Sequence, residues 1–169
     1  KSELNLNESY ENLRYEGFGP FNVAFIIETL TNNKNRTASN IRTVLQKNGG
    51  RLGEHGSTAH LFQHCGVIHV SKKEFTDEKI LEMAINAGAM DCKSNSDHHE
   101  IISKKNDFNK VKSIIEKKVQ TLQYFGIQWI PYNYLDTPKE ENEKIIKILE
   151  LLDDDDDIQR IFTNCKVNL

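Results

Sequence analysis

Five cations and no carboxylate lie between Thr29 and Gly53 of this 169-residue chain. Lys34, Arg36, Arg42, Lys47 and Arg51 supply the charge, and Gly49, Gly50 and Gly53 punctuate the C-terminal end of the segment. The whole chain has a net charge of −3, so this sign is a local property. A block of one sign is ordinarily a solvated face, and its chemical use is as a footprint for phosphates. Lys offers a point charge and Arg a fork of donors, so both can position a phosphodiester backbone without reading its sequence. The three glycines would let a backbone come close and expose its N–H groups. These eight residues form the expected nucleic-acid-binding set.

Other chemistry is thinner. GFGP is not the GxGxxG of a dinucleotide site, and GGRLGEHG lacks the Lys-Ser/Thr of a phosphate-binding loop. There is no GxSxG, and no cysteine has an activating histidine beyond the sequence neighbour His64. No catalytic residue, cofactor or small-molecule substrate is expected. His60, His64 and Cys65, and the pair His98-His99, lack the ligand spacing of a metal site, so no metal is expected either. The run Asp153–Asp157 lacks the alternation of a calcium loop and follows a helix, where negative charge is unfavourable. It is expected to stop that helix and stay solvated or meet a basic surface. From Asp136 to Asp157 there are ten acids against three lysines, so charge is segregated along the chain.

These residues need a scaffold. Asn12–Tyr15 and Val23–Thr29 read as strands joined through Gly17, Gly19 and Pro20. VAFII is continuous rather than alternating, as in a strand buried on both faces. A helix near Ala38–Asn48 puts Ala38, Ile41, Val44 and Leu45 inward, with Arg36 and Lys47 opposite and Arg42 on the flank. Thr37 is its N-cap candidate and Gly49-Gly50 its stop. Ser57–Phe62 reads as the next strand. Then come a strand Gly66–Val70, a helix Asp77–Gly88 with Ile80, Leu81, Ala84 and Ile85 on one face, and paired strands Met90–Lys93 and His99–Ser103. A helix marked by Phe108, Val111, Ile114 and Ile115 and a strand Ile127–Tyr132 complete a β-α-β-β-α-β unit of the ferredoxin-like kind. Helix Lys139–Leu152 and strand Ile158–Thr163 have no partner there and would complete the first unit. The expected fold class is α+β: two small ferredoxin-like α/β sandwich domains, the second inserted into the first. The discontinuous domain would be residues 1–62 plus 137–169, and the inserted domain 63–136.

Composition agrees with a soluble globular protein, at 37% hydrophobic and 28% charged. No apolar run approaches the roughly 18 residues that span a bilayer, so no membrane partner is expected. Three widely spaced cysteines argue for a reducing compartment rather than a disulfide framework.

The strings YEGFGP, VAFIIETLTNNKNRTASNIR and KNGGRLGEHGSTAHLF resemble the YebC family. That family includes the bacterial YebC/PmpR proteins and the mitochondrial translational activator of cytochrome oxidase subunit one. Similarity continues through GVIHV, MAINAGAMD, IPY and DDDIQRIFTN, nearly the whole chain from Tyr15 onward. The resemblance implies a basic helical domain ahead of two α+β domains, to which Lys1–Ser9 would be the linker. It implies a non-enzymatic regulator: DNA-binding and transcriptional in descriptions of bacterial members, ribosome-associated and translational in others. The expected function is a translational regulator or activator that associates with RNA or the ribosome, with duplex DNA as the alternative partner. The inserted domain would be a docking module. Two positions depart from the family: Phe21-Asn22 replaces the usual Gly-Gly, and His60 stands where an aromatic, often Trp, is usual. These departures favour a mitochondrial matrix location over the alternative, a bacterial cytoplasm.

Overall fold

A computed structural model describes residues 9–167. The chain forms two compact units, one from Lys1–Gln63 with Pro131–Leu169 and the other from His64–Ile130. The chain re-enters the first unit at Pro131, ahead of the expected position 137. The reason is local: Tyr132 N–H donates to Leu61 O at 3.1 Å, and Leu135 N–H to Asn164 O at 2.7 Å.

In the first unit, β1 (Glu11–Phe18) and β2 (Ala24–Thr31) make an antiparallel hairpin. The short β3 (Arg51–Leu52) pairs with β1, and β8 (Ile158–Thr163) with β2, giving the order β3-β1-β2-β8. Every residue from Val23 to Ile27 is fully buried, as the unbroken apolar run requires. Helices α1 (Lys34–Lys47) and α4 (Lys139–Asp153) bring Ile41, Leu45, Ile145, Ile148 and Leu152 onto Phe25 and Ile27. The turn entering β2 holds Phe21 and Asn22 in the left-handed region, at φ 61° and 55°. A Cβ there meets backbone, so the conformation is strained for Phe21.

The second unit runs β4 (Phe62–Ser71), α2 (Asp77–Ala87), β5 (Asp91–Ser94), β6 (His98–Lys104), α3 (Phe108–Glu116) and β7 (Tyr124–Pro131), with strand order β5-β6-β4-β7. Its core joins Ile68, Val70 and Ile101 to Ile80, Met83, Ala84, Val111 and Ile115. Thr76 caps α2 by accepting the Lys79 N–H at 3.2 Å. The inward stripe of α2 is Ile80, Met83, Ala84 and Ala87; Leu81 and Ile85, expected inside, are 45% and 64% exposed. The two units thus share a two-layer α+β architecture. They differ in connectivity: the first has a hairpin at the centre of its sheet, the second a split β-α-β.

Of Ser57–Phe62 only Phe62 lies in a strand, as the first residue of β4. Ser57–Leu61 is a turn followed by a single 3-10 turn at Ala59–Leu61. The Thr58 and Ala59 backbone donors go to the Glu16 carboxylate instead.

Candidate nucleic-acid interface

Helix α1 begins at Lys34, four residues before the expected start, because Asn33 rather than Thr37 is its cap. Asn33 Oδ1 accepts the Arg36 N–H at 3.1 Å. Thr37 lies inside the first turn, fully buried, with its hydroxyl 2.8 Å from Asp157 Oδ2. Lys34 and Arg36 therefore ride on the helix rather than in the turn before it.

Arg36 is not a free cation. Its Nε and Nη2 donate to Asp157 Oδ2 and Oδ1 at 3.1 and 2.7 Å, and Nη2 also donates to Asn32 Oδ1 at 3.0 Å. The Arg36 bonds, helped by Thr37 and outweighing burial, hold the Asp157 carboxyl below the ordinary range. Asp157 also sits at the positive end of α1, where a carboxylate is favourable. The acidic run thus meets the basic segment through its last member.

The glycines do not form an open cradle. Gly49, at φ 84°, ends α1 in the left-handed conformation, and Gly50 N–H returns to Leu45 O at 2.7 Å. A Cβ on Gly50 would collide with Phe18 O. Gly53 N–H donates to Glu16 O at 2.8 Å. The following loop does have the shape of an anion nest, but the protein's own Glu16 fills it. The Glu16 carboxylate accepts the N–H groups of Gly56, Thr58 and Ala59 at 2.7, 2.9 and 2.7 Å. Arg14 Nε adds a contact at 3.3 Å, and the Glu16 side chain is wholly buried. Burial alone would raise the Glu16 pKa; the three N–H groups and Arg14 outweigh it and bring it down to about 2. Donors committed to a carboxylate cannot join a strand ladder, which is why Ser57–Phe62 does not extend.

Four cations of the expected set remain outward. Lys34, Arg42 and Lys47 are exposed on α1, with no head-group ion pair among the described residues. Exposed Arg51, on β3, lies with its guanidinium carbon 4.4 Å from the Phe18 ring centroid. At about 100° per residue Lys34 stands over the Ile41 and Leu45 face at its N-terminal end, with Arg42 about 80° to one side and Lys47 about 140° to the other. Lys34 and Lys47 stand at opposite ends of a 14-residue helix, about 20 Å of rise. They do not converge on one point. Charges spread around and along a helix in this way suit several phosphates rather than a single ligand.

Of the histidines set aside from the sequence, His60, His64 and His99 have ordinary partners. His60 Nδ1 lies 3.3 Å from Gly56 O, and His64 stacks on Trp129 at 3.8 Å. His99 is buried with both ring nitrogens occupied, by Ser94 Oγ at 2.6 Å and Phe75 O at 2.8 Å. Burial pushes the Cys65 thiol up to about 11, with Glu100 adding to it.

The model of the second and third domain of TACO1/YebC proteins matches residues 10–165. The chain belongs to the TACO1/YebC family. It is 46% identical over 164 residues to a probable transcriptional regulatory protein of Pelagibacter ubique, covering 97% of this chain and 68% of that protein. A protein of the same description from Rickettsia bellii is 43% identical, over 96% of this chain and 64% of its own length. One from Zymomonas mobilis is 40% identical, over 95% and 65% respectively. The chain therefore spans about two thirds of the length of these relatives. A conserved hypothetical protein from Aquifex aeolicus has the same fold, with a TM-score of 0.82, 34% identity and coverage of 96% of this chain and 68% of its own. Membership in a TACO1/YebC family whose relatives carry regulatory names makes this a regulatory-family chain. No helix among the described residues is long and apolar enough to cross a membrane.

Sequence reasoning missed Glu16, the residue that organises the Gly56–Ala59 loop of this chain. Arg14 and Glu16 share one face of β1 by strand alternation, and a charged alternate position ordinarily reads as solvent-facing. The signal that could have found it is the Gly-spaced GEHGST loop, whose donors needed an anion.

Proposed function

We propose that this chain is the part of a translational regulator that grips RNA phosphates, on the ribosome or alone, through Lys34, Arg42, Lys47 and Arg51. The observation that carries the reading is the exposure of these four cations on α1 and β3, none with an ion pair among the described residues. Arg36, Gly50 and Gly53 serve the scaffold that presents them. Helix α1 contributes contacts to backbone rather than to bases, so it supplies affinity and register rather than sequence choice. The bacterial relatives at 40–46% identity favour a bacterial cytoplasm over the mitochondrial matrix.

The second reading is a transcriptional regulator on duplex DNA, which the relatives' description as probable transcriptional regulatory proteins favours. Co-sedimentation of the full-length protein with ribosomes, across a salt series and with duplex DNA as competitor, separates the two. Four phosphate contacts to single-stranded RNA give a salt slope of about −3, or roughly a 50-fold loss between 50 and 200 mM salt. Association that fades this way and ignores the duplex supports the translational reading. Protein that leaves the ribosome for the duplex supports the transcriptional one.

A further inference from the structure

Strand geometry brings together three metal-capable side chains that the sequence keeps apart. His69 on β4 is directly opposite Glu100 on β6 in the antiparallel register. His98 precedes Glu100 by two positions on the same strand, so it projects from the same face, whereas His99 projects from the other. His69 Nε2 lies 3.0 Å from Glu100 Oε2. The His98 ring stacks on that of His69 with centroids 3.8 Å apart and planes 20° from parallel. One ligand atom from each of the three lies within 4.8 Å of the others.

We propose that His69, His98 and Glu100 form a binding site for a divalent transition metal, of which Zn²⁺ is the best fit. Two imidazoles and one carboxylate are the donor set that zinc accepts, and they leave a fourth position for water. Mg²⁺ and Ca²⁺ want six or more oxygens and do not suit it. With zinc–ligand distances of about 2.0–2.1 Å, donor atoms in a tetrahedral site sit about 3.4 Å apart. The 3.0 Å pair is already close; stacking leaves the nitrogen lone pairs of His69 and His98 in nearly parallel planes, so His98, half-buried at the start of β6, turns out of the stack to aim a nitrogen at the same ion. The mounting is firm: β4 and β6 are adjacent strands inside the sheet. Gln123 N–H holds the His69 carbonyl at 2.9 Å, and Asn95 Oδ1 holds the His98 N–H at 2.9 Å. The His69 and Glu100 side chains are 20% and 27% exposed, open enough for an ion to enter and shielded enough to retain it. The site lies wholly within the second unit and is independent of the role assigned to α1.

The test is titration of the full-length, reduced protein with Zn²⁺, and with Co²⁺ as a spectroscopic probe. The site predicts one equivalent of saturable binding and visible Co²⁺ bands without a thiolate charge-transfer band. His98→Ala should weaken binding about 100-fold or more, since loss of outer partners alone costs 10–100-fold. Removing Zn²⁺ with a chelator should leave the circular dichroism of His98→Ala unchanged while lowering the Tm of the parent. Absence of saturable binding, a thiolate band, or parent-like binding by folded His98→Ala would each overturn the assignment.

Discussion

The two units of this molecule solve the same architectural problem with different means. Each stacks a four-stranded sheet on two helices. In the second unit, an uninterrupted stretch of chain closes around an apolar core, and its buried polar residues among those described are His99 and Ser103. The first unit must take its chain back at Pro131, after the insertion, and it buries eight polar or charged residues, among them Glu16, Asp157, Asn142 and Asn164. Each of these joins segments distant in sequence. Glu16 ties β1 to the loop at Gly56–Ala59, Asp157 ties the entry to β8 to α1, and Asn164 Oδ1 accepts the Ala24 N–H at 2.8 Å. Asn142 Nδ2 donates to Lys166 O at 3.0 Å. Hydrophobic burial is non-directional and leaves a returning chain free to slide, whereas a hydrogen-bonded carboxylate fixes where it lands. An interrupted domain thus relies on polar stitches more than a continuous one does.

That contrast breaks most readily at Glu16. Glu16→Ala takes the carboxylate from the N–H groups of Gly56, Thr58 and Ala59, leaving the Thr58 hydroxyl on Phe25 O, and should destabilise the first unit by about 3 kcal/mol. Hydrogen exchange should show protection lost in β1 and β2 while β4 and β6 keep theirs; equal loss in both would erase the distinction. Acid should act in the same place. The Glu16 pKa is lowered to about 2, and Asp157 is lowered too, so the stability they confer is full above the unfolded carboxylate range near pH 4.5. It is then lost as pH falls from there toward 2. The amides of Gly56 and Thr58 should open in that window ahead of those in the second unit.

Asp157→Asn is the next largest expected effect. It weakens the Arg36 fork at the start of α1 and should lower the Tm of the first unit by less than Glu16→Ala does. Arg36→Gln should do likewise while leaving the affinity of the folded protein for RNA within about twofold, because this cation is already engaged. A large affinity loss in Arg36→Gln would return it to the binding set. The smallest effect has the opposite sign. Phe21→Gly relieves a left-handed residue that is 56% exposed and should stabilise the first unit by about 1 kcal/mol, seen as a higher Tm.

Much of this was legible in the residues. The run VAFII announced a strand buried on both faces, and the helical segment Lys139–Leu152 announced α4. These are periodic, many-residue signals, and they carried the two-sandwich fold. The failures were single side chains that override a local pattern. Thr37 and Asn33 are both good caps, and the choice fell to Asn33 because Asp157, 120 residues away, engages Thr37. Ser57–Phe62 has no local reason to avoid a strand; Glu16 supplies one from 40 residues upstream. Leu81 and Ile85 satisfy helical spacing as well as Met83 and Ala87 do, and only the position of the sheet decides which pair faces inward. Within the expected phosphate set, charge was legible but its commitment was not: nothing near Arg36 in sequence says that a carboxylate already holds it.

The central claim is that Lys34, Arg42, Lys47 and Arg51 are a phosphate-binding set while the cations of the second unit are merely solvated. Its most direct test compares two full-length variants for RNA and ribosome affinity across a salt series. One carries Glu at those four positions; the other carries Glu at Lys104, Lys105, Lys117 and Lys118 of the second unit, all exposed. With both shown to be folded, the account predicts that the first loses about 100-fold or more in affinity and flattens the salt slope by about 3, while the second stays within a few-fold of the parent. Equal losses in the two variants, or an undiminished salt slope in the first, would contradict it.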